Sequence, residues 1–357
     1  MINFEEKLKN KKIFVTGHTG FTGSWVCFWL KKIGSNILGY SLPPPTSPSL
    51  FEALNLNKEI KSIYDDINNY KLLKKSIISF QPDIILHLAA QPLVSKGYQE
   101  PLETFKTNII GTANILEISK CIKTLKGTLC ITTDKVYKNN ENQNRFVETD
   151  MLGGEDPYSA SKSAAEIVIE SFAKSYFSCN KNYPVINVAR GGNIIGGGDW
   201  SENRLFPDYV KSVISNKQLD IRSSLSTRPW QHVLDLISGY FSILANILDK
   251  KINKYSAWNL GPHETENYSV LDVIEIISQY WEKPIIKYVE NNIKETKILT
   301  LNSNKAKNLL EWEPSWNTRK SVEMTSDWYK QFYNDPRHVN KLSLMQIDEW
   351  RNDNFKS

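Results

Sequence analysis

The sequence predicts an α/β fold, a doubly wound parallel sheet followed by a smaller, mostly helical C-terminal domain. Short apolar runs alternate with helix-like segments over roughly the first 190 residues. A glycine-rich turn joins the first apolar run to the first helix, and a second group of glycines, from Gly191 to Gly198, ends the alternation. Repeated β-α units of this kind form a parallel sheet that binds its ligand at the carboxyl ends of the strands.

The composition is that of a globular protein. Of the 357 residues, 40% are hydrophobic and 23% are charged, which is enough apolar material for a large core. The 44 basic residues barely exceed the 39 acidic ones, so we expect no nucleic-acid partner. No apolar run approaches the roughly 18 residues of a membrane span, and Met1–Lys12 lacks the apolar segment of a signal peptide. We therefore expect a cytoplasmic protein without a membrane partner.

The cysteines give no sign of a metal site. They form no Cys-x-x-Cys pair, and we expect reduced, buried thiols and no bound metal. The four residues are Cys27, Cys121, Cys130 and Cys179.

The first strand is predicted at Ile13–Val15, and a turn with three regularly spaced glycines follows it. Gly17 permits a tight turn, Gly20 lets the backbone approach a diphosphate, and Gly23 lets the next helix pack closely on the strand. Phosphates bind at the positive N-terminal end of such a helix. An ordinary strand-to-helix turn is the alternative. The position between a strand and a helix favours a dinucleotide site, for which the predicted contacts are Gly17, Thr19, Gly20, Phe21 and Gly23.

The second strand is predicted at Ile37–Leu42. The acidic residue that usually binds the adenosine ribose near the end of this strand is missing. No Arg or Lys stands there to bind a 2′-phosphate either. We therefore predict NAD rather than NADP as the cofactor, with Ser41 as a ribose contact.

Further β-α units follow along the chain. Helices are predicted over Tyr70–Phe80 and Leu102–Lys120, and strands over Asp83–Leu88 and Gly127–Thr133. We interpret His87, inside an apolar run, as a packed core histidine rather than a catalyst. Small residues after this run leave room for a cofactor. The cofactor contacts predicted in these units are Asp66, Ile67, Leu88, Ala89, Ala90 and Asn108.

Tyr158 and Lys162 are four residues apart and so share one face of a predicted helix. A free phenol has a pKa near ~10. A nearby ammonium and the positive nicotinamide ring stabilise the phenolate, which lets the phenol act as a base near neutral pH. A pair on the helix surface is the alternative. The upstream glycine turn favours the catalytic interpretation, and both residues are also predicted cofactor contacts.

Six segments give the sequence its resemblance to a known family. Together they resemble the extended short-chain dehydrogenase/reductase family of nucleotide-sugar enzymes over roughly residues 12–329, and within it the 4,6-dehydratases that act on CDP-glucose. The resemblance implies a Rossmann-type NAD-binding fold, a nucleotide-sugar substrate and a homodimer that pairs through the helices near 102–120 and 158–176. The segments are Gly17–Trp25, His87–Val94, Thr133–Lys135, Gly153–Ser159, Gly192–Trp200 and Arg228–Val233.

Within this family, the segment Thr133-Asp134-Lys135 distinguishes between reactions. Oxidation of the sugar at C4 makes the C5 proton acidic, and a 4,6-dehydratase then needs a base at C5 and an acid for the departing C6 hydroxyl. The resemblance implies Lys135 as this base and Asp134 as this acid. Relatives that act on dTDP-glucose or GDP-mannose are expected to carry Glu at the position of Lys135, so the lysine indicates the CDP-sugar branch.

The two proposed roles require a protonated Asp134 and a neutral Lys135. Desolvation favours both uncharged forms, whereas attraction between the charged forms opposes them. A solvated Asp-Lys pair at a strand end is the alternative interpretation of this segment.

Four residues are implied as substrate contacts. Only eight of the 44 basic residues are arginines, and the forked guanidinium suits a diphosphate better than an ammonium does. The resemblance implies Arg204 and Arg228 at the diphosphate, and Asn193 and Gln91 at the nucleotide or sugar. For each arginine alone, a surface ion pair is the alternative. Two tryptophans either stack on the base or pack the second domain, namely Trp200 and Trp230.

The predicted NAD-binding domain covers residues 1–190, with 230–262 returning to it. Residues 191–229 and 263–335 form the predicted substrate-binding domain. The remaining residues, 336–357, form a tail in which Trp350 is the main anchor. Helices of the second half are predicted at Leu205–Asn216 and Val270–Trp281.

Two alternative functions are carried forward. The chain is either a 4,6-dehydratase or 4-epimerase of another nucleotide sugar, or a catalytically idle dinucleotide-binding partner subunit. An idle subunit has no physical need for the combination of Asp134, Lys135, Tyr158 and Lys162, and this counts against it.

Overall fold

The computed structural model describes residues 3–139, 145–178, 183–263, 268–289 and 299–356. In these ranges the strands are β1 (Lys12–Thr16), β2 (Asn36–Ser41), β3 (Lys61–Tyr64), β4 (Ile84–His87), β5 (Gly127–Ile131), β6 (Val185–Gly191), β7 (Ile194–Ile195), β8 (Leu219–Ile221), β9 (Thr227–Arg228), β10 (Gln231–His232), β11 (Ser256–Leu260), β12 (Tyr268–Ser269) and β13 (Ile286–Tyr288).

The helices of the same ranges complete the element list. They are α1 (Phe4–Leu8), α2 (Phe21–Ile33), α3 (Leu50–Ala53), α4 (Leu56–Glu59), α5 (Tyr70–Phe80), α6 (Val94–Gln99), α7 (Pro101–Phe105), α8 (Gly111–Ser119), α9 (Pro157–Phe172), α10 (Leu205–Ile214), α11 (Val233–Leu248), α12 (Val270–Ile277), α13 (Asn304–Leu310), α14 (Thr318–Asn334) and α15 (Val339–Lys356).

The main sheet confirms the predicted fold class. In the described part of the chain it has seven strands in the order β11-β6-β5-β4-β1-β2-β3, and each neighbouring pair is parallel. The strand order reverses between β1 and β4, and the carboxyl ends of these two strands are where a doubly wound sheet binds its ligand. Every residue of β4 is buried, as its apolar sequence predicts.

Helix α2, which follows the glycine turn, is bounded by glycines that the sequence identifies. Gly20 is the N-cap of α2 and makes no side-chain cap. Gly34 at the other end has a φ of 92°, a left-handed conformation that glycine adopts without a steric penalty. Burial of nine of the thirteen α2 residues fixes the helix against the sheet.

The predicted helix Leu102–Lys120 was wrong as a single α-helix. The structure has α7, a π-helical turn at Lys106–Ile110, and α8. A π-turn accommodates one extra residue and is common at functional sites. Here it contains Asn108, whose buried amide bonds to Gln91 and Ser161. Local periodicity gave no sign of this turn because its partners are distant in sequence.

Several other boundaries also differ from the prediction. The strand predicted to Thr133 ends at Ile131, since the next residues enter a 3₁₀ turn at Asp134–Val136. The helix predicted to Asn216 ends at Ile214, and Asn216 has a positive φ of 51°. The helix predicted to Trp281 ends at Ile277.

The prediction of buried cysteines was wrong for one residue. Cys121 follows the end of α8 and is exposed, while Cys27 and Cys130 are buried. Cys179 lies outside the described residues.

The second half of the chain packs against the main sheet as well as forming a separate layer. Strand β11 pairs with β6 at the sheet edge, and α11 contacts β5 and β6. Trp350 of α15 is buried, and its indole Nε1 donates to Asp235 of α11 at 2.7 Å. The division into two domains stays a prediction. None of the helices in the described ranges combines the length and apolar character that crossing a membrane requires.

Candidate active site

One large cavity collects almost all the predicted site residues. Its volume is about 1760 Å³, well above the several hundred Å³ of an ordinary small-molecule site, so it has room for two large ligands. It opens at the carboxyl ends of β1, β2, β4 and β5. Of the predicted site residues, Asp134 and Asn108 do not line it. Those that do are Gly17, Thr19, Gly20, Phe21, Gly23, Ser41, Asp66, Ile67, Leu88, Ala89, Ala90, Gln91, Thr133, Lys135, Tyr158, Lys162, Asn193, Arg204 and Arg228.

The glycine turn forms the floor of one end of the cavity. Gly17 has a φ of 73°, and a Cβ built on it would lie 2.7 Å from the backbone nitrogen of Ala89. A side chain is therefore excluded both by backbone conformation and by the close approach of the chain after β4. Because no side chain caps α2, the first amide groups of this helix can bind an anion.

Hydroxyl groups lie at the end of the cavity where the cofactor ribose is predicted to bind. The Ser41 and Thr19 hydroxyls are 2.9 Å apart, and Thr19 Oγ1 also donates to the carbonyl of Leu42 at 2.8 Å. The Asp66 carboxylate, which also lines the cavity, accepts from the backbone and the amide of Asn68.

The 3₁₀ turn after β5 holds Thr133, Asp134 and Lys135 beside one another. Asp134 is fully buried, and its Oδ1 accepts from Thr133 Oγ1 at 2.9 Å and from Lys135 Nζ at 3.2 Å. Its Oδ2 is buried and has no hydrogen-bond partner among the described residues. The Lys135 side chain is 31% exposed and also reaches Asn193 Oδ1 at 3.4 Å. Asp134 therefore lies directly behind two residues that line the cavity.

Tyr158 lies near the N-terminus of α9 and is linked to this turn. The Thr133 hydroxyl is near enough to its phenol to favour the phenolate and lower the pKa. Burial nevertheless raises the pKa of Tyr158 to about 12. The positive charge of the nearby Arg204 acts in the other direction and lowers this pKa. The base role predicted for Tyr158 therefore depends on added positive charge.

Lys162 is buried one turn further along α9. Burial lowers its pKa to about 8. Its Nζ donates to the carbonyl of Ile131 at the end of β5, at 3.2 Å. Among the described residues no hydrogen bond joins it to the phenol of Tyr158, so an effect of its charge on that group stays a prediction.

The two predicted diphosphate arginines both line the cavity. Arg204 Nη1 donates to the buried Asp199 carboxylate at 2.8 Å, and this carboxylate raises the pKa of the guanidinium. Arg228 donates to its neighbour's carbonyl at 2.9 Å. Trp200 packs in an aromatic cluster with Trp328 and Phe332 while also lining the cavity.

Gln91 and Asn108 support one another. Asn108 Oδ1 accepts from the Gln91 amide nitrogen at 2.9 Å, and Asn108 Nδ2 donates to Ser161 of α9 at 2.8 Å. This places Asn108 between the strand β4 exit and the helix of Tyr158. Its direct contact with a cofactor stays a prediction. His87 is a packed core histidine, as predicted, with hydrogen-bonding contacts to Thr16 and Thr112.

Sequence reasoning missed a buried ion pair beneath the site. Glu166 is fully buried, accepts from Thr132 Oγ1 at 2.6 Å, and pairs with Arg190 Nε at 2.9 Å. Its spacing of four residues from Lys162 puts it on the same helix face, and this was the available signal. The pair joins α9 to β6, and the bond from Thr132 joins α9 to the end of β5.

Comparisons with known proteins agree with this geometry. The model of a family described as GDP-mannose 4,6 dehydratase matches residues 14–325. The CDP-glucose 4,6-dehydratase of Salmonella typhimurium is 39% identical over 327 residues, which cover 90% of this chain and 91% of that protein.

Solved structures give the same result for the fold. The dTDP-glucose 4,6-dehydratase of Bacillus anthracis in complex with NAD has a TM-score of 0.74 at 25% identity, covering 90% of this chain and 97% of its own. The UDP-glucuronic acid 4-epimerase of Bacillus cereus, in complex with UDP-glucuronic acid and NAD, has a TM-score of 0.76 at 26% identity, covering 90% and 100%. The predicted resemblance is confirmed, and the chain belongs to the GDP-mannose 4,6-dehydratase family.

Proposed function

We propose that this protein is an NAD-dependent 4,6-dehydratase that converts CDP-glucose to CDP-4-keto-6-deoxyglucose and water. The observation that carries the proposal is the 3₁₀ turn that holds Lys135 and Thr133 against Asp134, with Thr133 near enough to Tyr158 to lower the pKa of its phenol. An epimerase needs no such acid-base pair. The 39% identity to a CDP-glucose 4,6-dehydratase supports both the reaction and the substrate.

The glycine turn and α2 fit a dinucleotide. The exclusion of a side chain at Gly17 and the uncapped amides at the start of α2 suit a diphosphate. When bound, NAD accepts a hydride from C4 of the sugar and later returns it to C6. The predicted contacts with it are those of the glycine turn, Ser41, Asp66, Ile67, the segment Leu88–Ala90, Tyr158 and Lys162.

Tyr158 removes the proton of the C4 hydroxyl in the first step. Its raised pKa has to be offset, and the Thr133 hydroxyl and Arg204 both favour the phenolate. The ammonium of Lys162, one turn along the same helix, is predicted to add positive charge near the phenol.

Lys135 then removes the C5 proton, and Asp134 supplies the proton for the departing C6 hydroxyl. Proton transfer from Asp134 starts at Oδ1, which contacts both Thr133 and Lys135. Both of these neighbours line the cavity. The uptake of one proton at Lys135 and the loss of another at Asp134 leave the pair with the same total charge.

Arg204 and Arg228, which both line the cavity, bind the substrate diphosphate, and Asn193 and Gln91 contact the nucleotide or sugar. We further expect a cytoplasmic homodimer that pairs through α7, α8 and α9. Exposed apolar side chains support this expectation, namely Leu102 on α7, Ile167 on α9 and Ile110 in the π-turn between α7 and α8.

Incubation with a panel of nucleotide sugars tests the proposed reaction. CDP-glucose should give a product whose mass is lower by one water, with the ultraviolet absorbance of a 4-keto sugar and no net reduction of NAD. Turnover of a different nucleotide sugar, with none of CDP-glucose, would reject the named substrate. A product of unchanged mass would indicate a 4-epimerase.

Replacement of the proposed C5 base tests the assignment within the site. The Lys135→Gln variant should keep part of the C4 oxidation and lose solvent-deuterium uptake at C5, measured by product mass. The exposed Lys123 provides a matched control, because Lys123→Gln removes the same charge far from the cavity. Full deuterium uptake in Lys135→Gln would assign the base to another residue.

A further inference from the structure

The end of the cavity between α10 and β8 has a lining that the reaction does not use. Its apolar walls include Phe206 and Pro207 of α10 and Leu219 and Ile221 of β8, all of them buried. Asp208 lies among them and also lines the cavity. An apolar wall that carries a half-buried carboxylate is suited to a flat ring with a hydrogen-bond donor at its edge.

The carboxylate of Asp208 is half-buried and forms no hydrogen bond or ion pair within the described residues. Two cations lie close enough to act on it through charge, but both are engaged elsewhere. Lys211 Nζ donates to the carbonyl of Trp200 at 3.0 Å, and the Arg222 guanidinium donates to Asn203. Burial still raises the pKa of Asp208 to about 6. The fold thus desolvates this carboxylate without giving it a donor.

Position along the cavity indicates which part of the substrate reaches Asp208. Its backbone nitrogen donates to the carbonyl of Arg204 at 3.0 Å, so Asp208 lies one helical turn beyond that residue. Arg204 itself acts through its charge on Tyr158. With the sugar at Tyr158 and the diphosphate at Arg204, the nucleoside extends toward α10 and β8. This step rests on the proposed function.

We propose that Asp208 is a specificity-determining residue that accepts a hydrogen bond from the exocyclic 4-amino group of cytosine. Uracil and thymine carry a carbonyl oxygen at that position, which a carboxylate repels. A desolvated acceptor discriminates strongly, since the wrong ring leaves it buried without a donor. The apolar walls contact the faces of any pyrimidine, so they add affinity without distinguishing between these bases.

Calorimetric titration of the NAD-loaded full chain with CDP and with UDP tests this assignment without any turnover. The wild type should bind CDP more tightly than UDP. Asp208→Leu should weaken CDP binding by about 10- to 100-fold and leave UDP within about threefold, which also shows that the variant is folded. Asp208→Asn can donate to the carbonyl of uracil as well as accept from the amino group of cytosine, so it should reduce the preference for CDP.

The exposed carboxylate of Asp220, at the same end of the cavity, provides the control. Asp220→Asn should leave the CDP-to-UDP ratio unchanged. The inference is overturned if the wild type does not prefer CDP, if Asp208→Leu keeps the wild-type ratio, or if the ratio is lost in Asp220→Asn instead.

A turnover assay on the same proteins separates this inference from the proposed function. A wild type that prefers CDP but does not dehydrate CDP-glucose would refute the reaction and leave the base contact standing. A wild type that dehydrates CDP-glucose, with an Asp208→Leu variant of unchanged base preference, would refute the base contact alone.

Discussion

The Trp350→Phe substitution should destabilise the protein in a pH-dependent way. The indole Nε1 of Trp350 donates to Asp235 Oδ1 at 2.7 Å, and both residues are buried. The same carboxylate accepts from the backbone nitrogens of Ser315 and Trp316. Asp235 thereby connects α11, the chain before α14, and α15. Phenylalanine fills most of the space of the indole but has no donor.

The direction of the pH effect follows from the pKa of Asp235. Burial raises this pKa to about 7, from an ordinary value near ~4. A carboxyl group whose pKa is higher in the folded than in the unfolded protein stabilises the fold fully at pH values below its unfolded pKa. This stabilisation is lost as the pH rises through its folded pKa. Asp235 is therefore ionised in the folded protein at pH 8 and protonated at pH 5, and the hydrogen bond from Trp350 is stronger at the higher pH.

The expected magnitude comes from the charge of the acceptor. A hydrogen bond to a charged group contributes about 1.5–3 kcal/mol, and one to a neutral group about 1 kcal/mol. The free energy of unfolding lost in Trp350→Phe should then be larger by about 1 kcal/mol at pH 8 than at pH 5.

The matched control is Trp312→Phe. Trp312 is also buried, and its Nε1 donates to the neutral hydroxyl of Ser238 at 2.9 Å. Urea unfolding of the three proteins at pH 5 and pH 8 measures both losses, and that of Trp312→Phe should not change with pH. If the two variants show the same pH dependence, the ionisation of Asp235 does not act through Trp350 and the reasoning fails.

Two further predictions concern the cavity. Tyr158→Phe should bind CDP normally and lower kcat by about 10²- to 10⁴-fold, with C4 oxidation lost in a single-turnover absorbance assay; substantial oxidation would assign the C4 base elsewhere. Arg204→Met removes a charge that lowers the pKa of Tyr158, so the rise of kcat/KM with pH should move to higher pH and CDP should bind more weakly. An unchanged pH profile would show that Arg204 does not act on the phenol.

The parts that were predictable from sequence depend on contacts between near neighbours. Three features each depend on a few consecutive residues. They are the glycine turn, the helix stop at Gly34 and the Tyr158–Lys162 spacing. The alternation of apolar runs with helices was enough to predict the parallel sheet, because strands buried on both faces appear in the sequence as nearly continuous apolar runs.

The parts that sequence reasoning missed depend on residues far apart along the chain. Asp235 and Trp350 are separated by 115 positions, and Glu166 and Arg190 by 24. A buried ionised residue is stable only when the fold brings it into contact with such a partner. No local sequence pattern predicts that contact. The π-turn that carries Asn108 has the same origin, since its amide bonds to Gln91 and Ser161 across the fold.

The end of β5 explains how one site can support two chemical steps. Carbons C4, C5 and C6 are consecutive, so the groups that act on them must lie within a few Å of one another. Ile131, the last residue of β5, accepts from Lys162, and the turn that follows carries Thr133, Asp134 and Lys135. The Thr133 hydroxyl donates to the carboxylate of Asp134 and also lowers the pKa of Tyr158. In the proposed mechanism, oxidation and elimination therefore share one strand end, and a displacement of β5 would disturb both steps together rather than one of them.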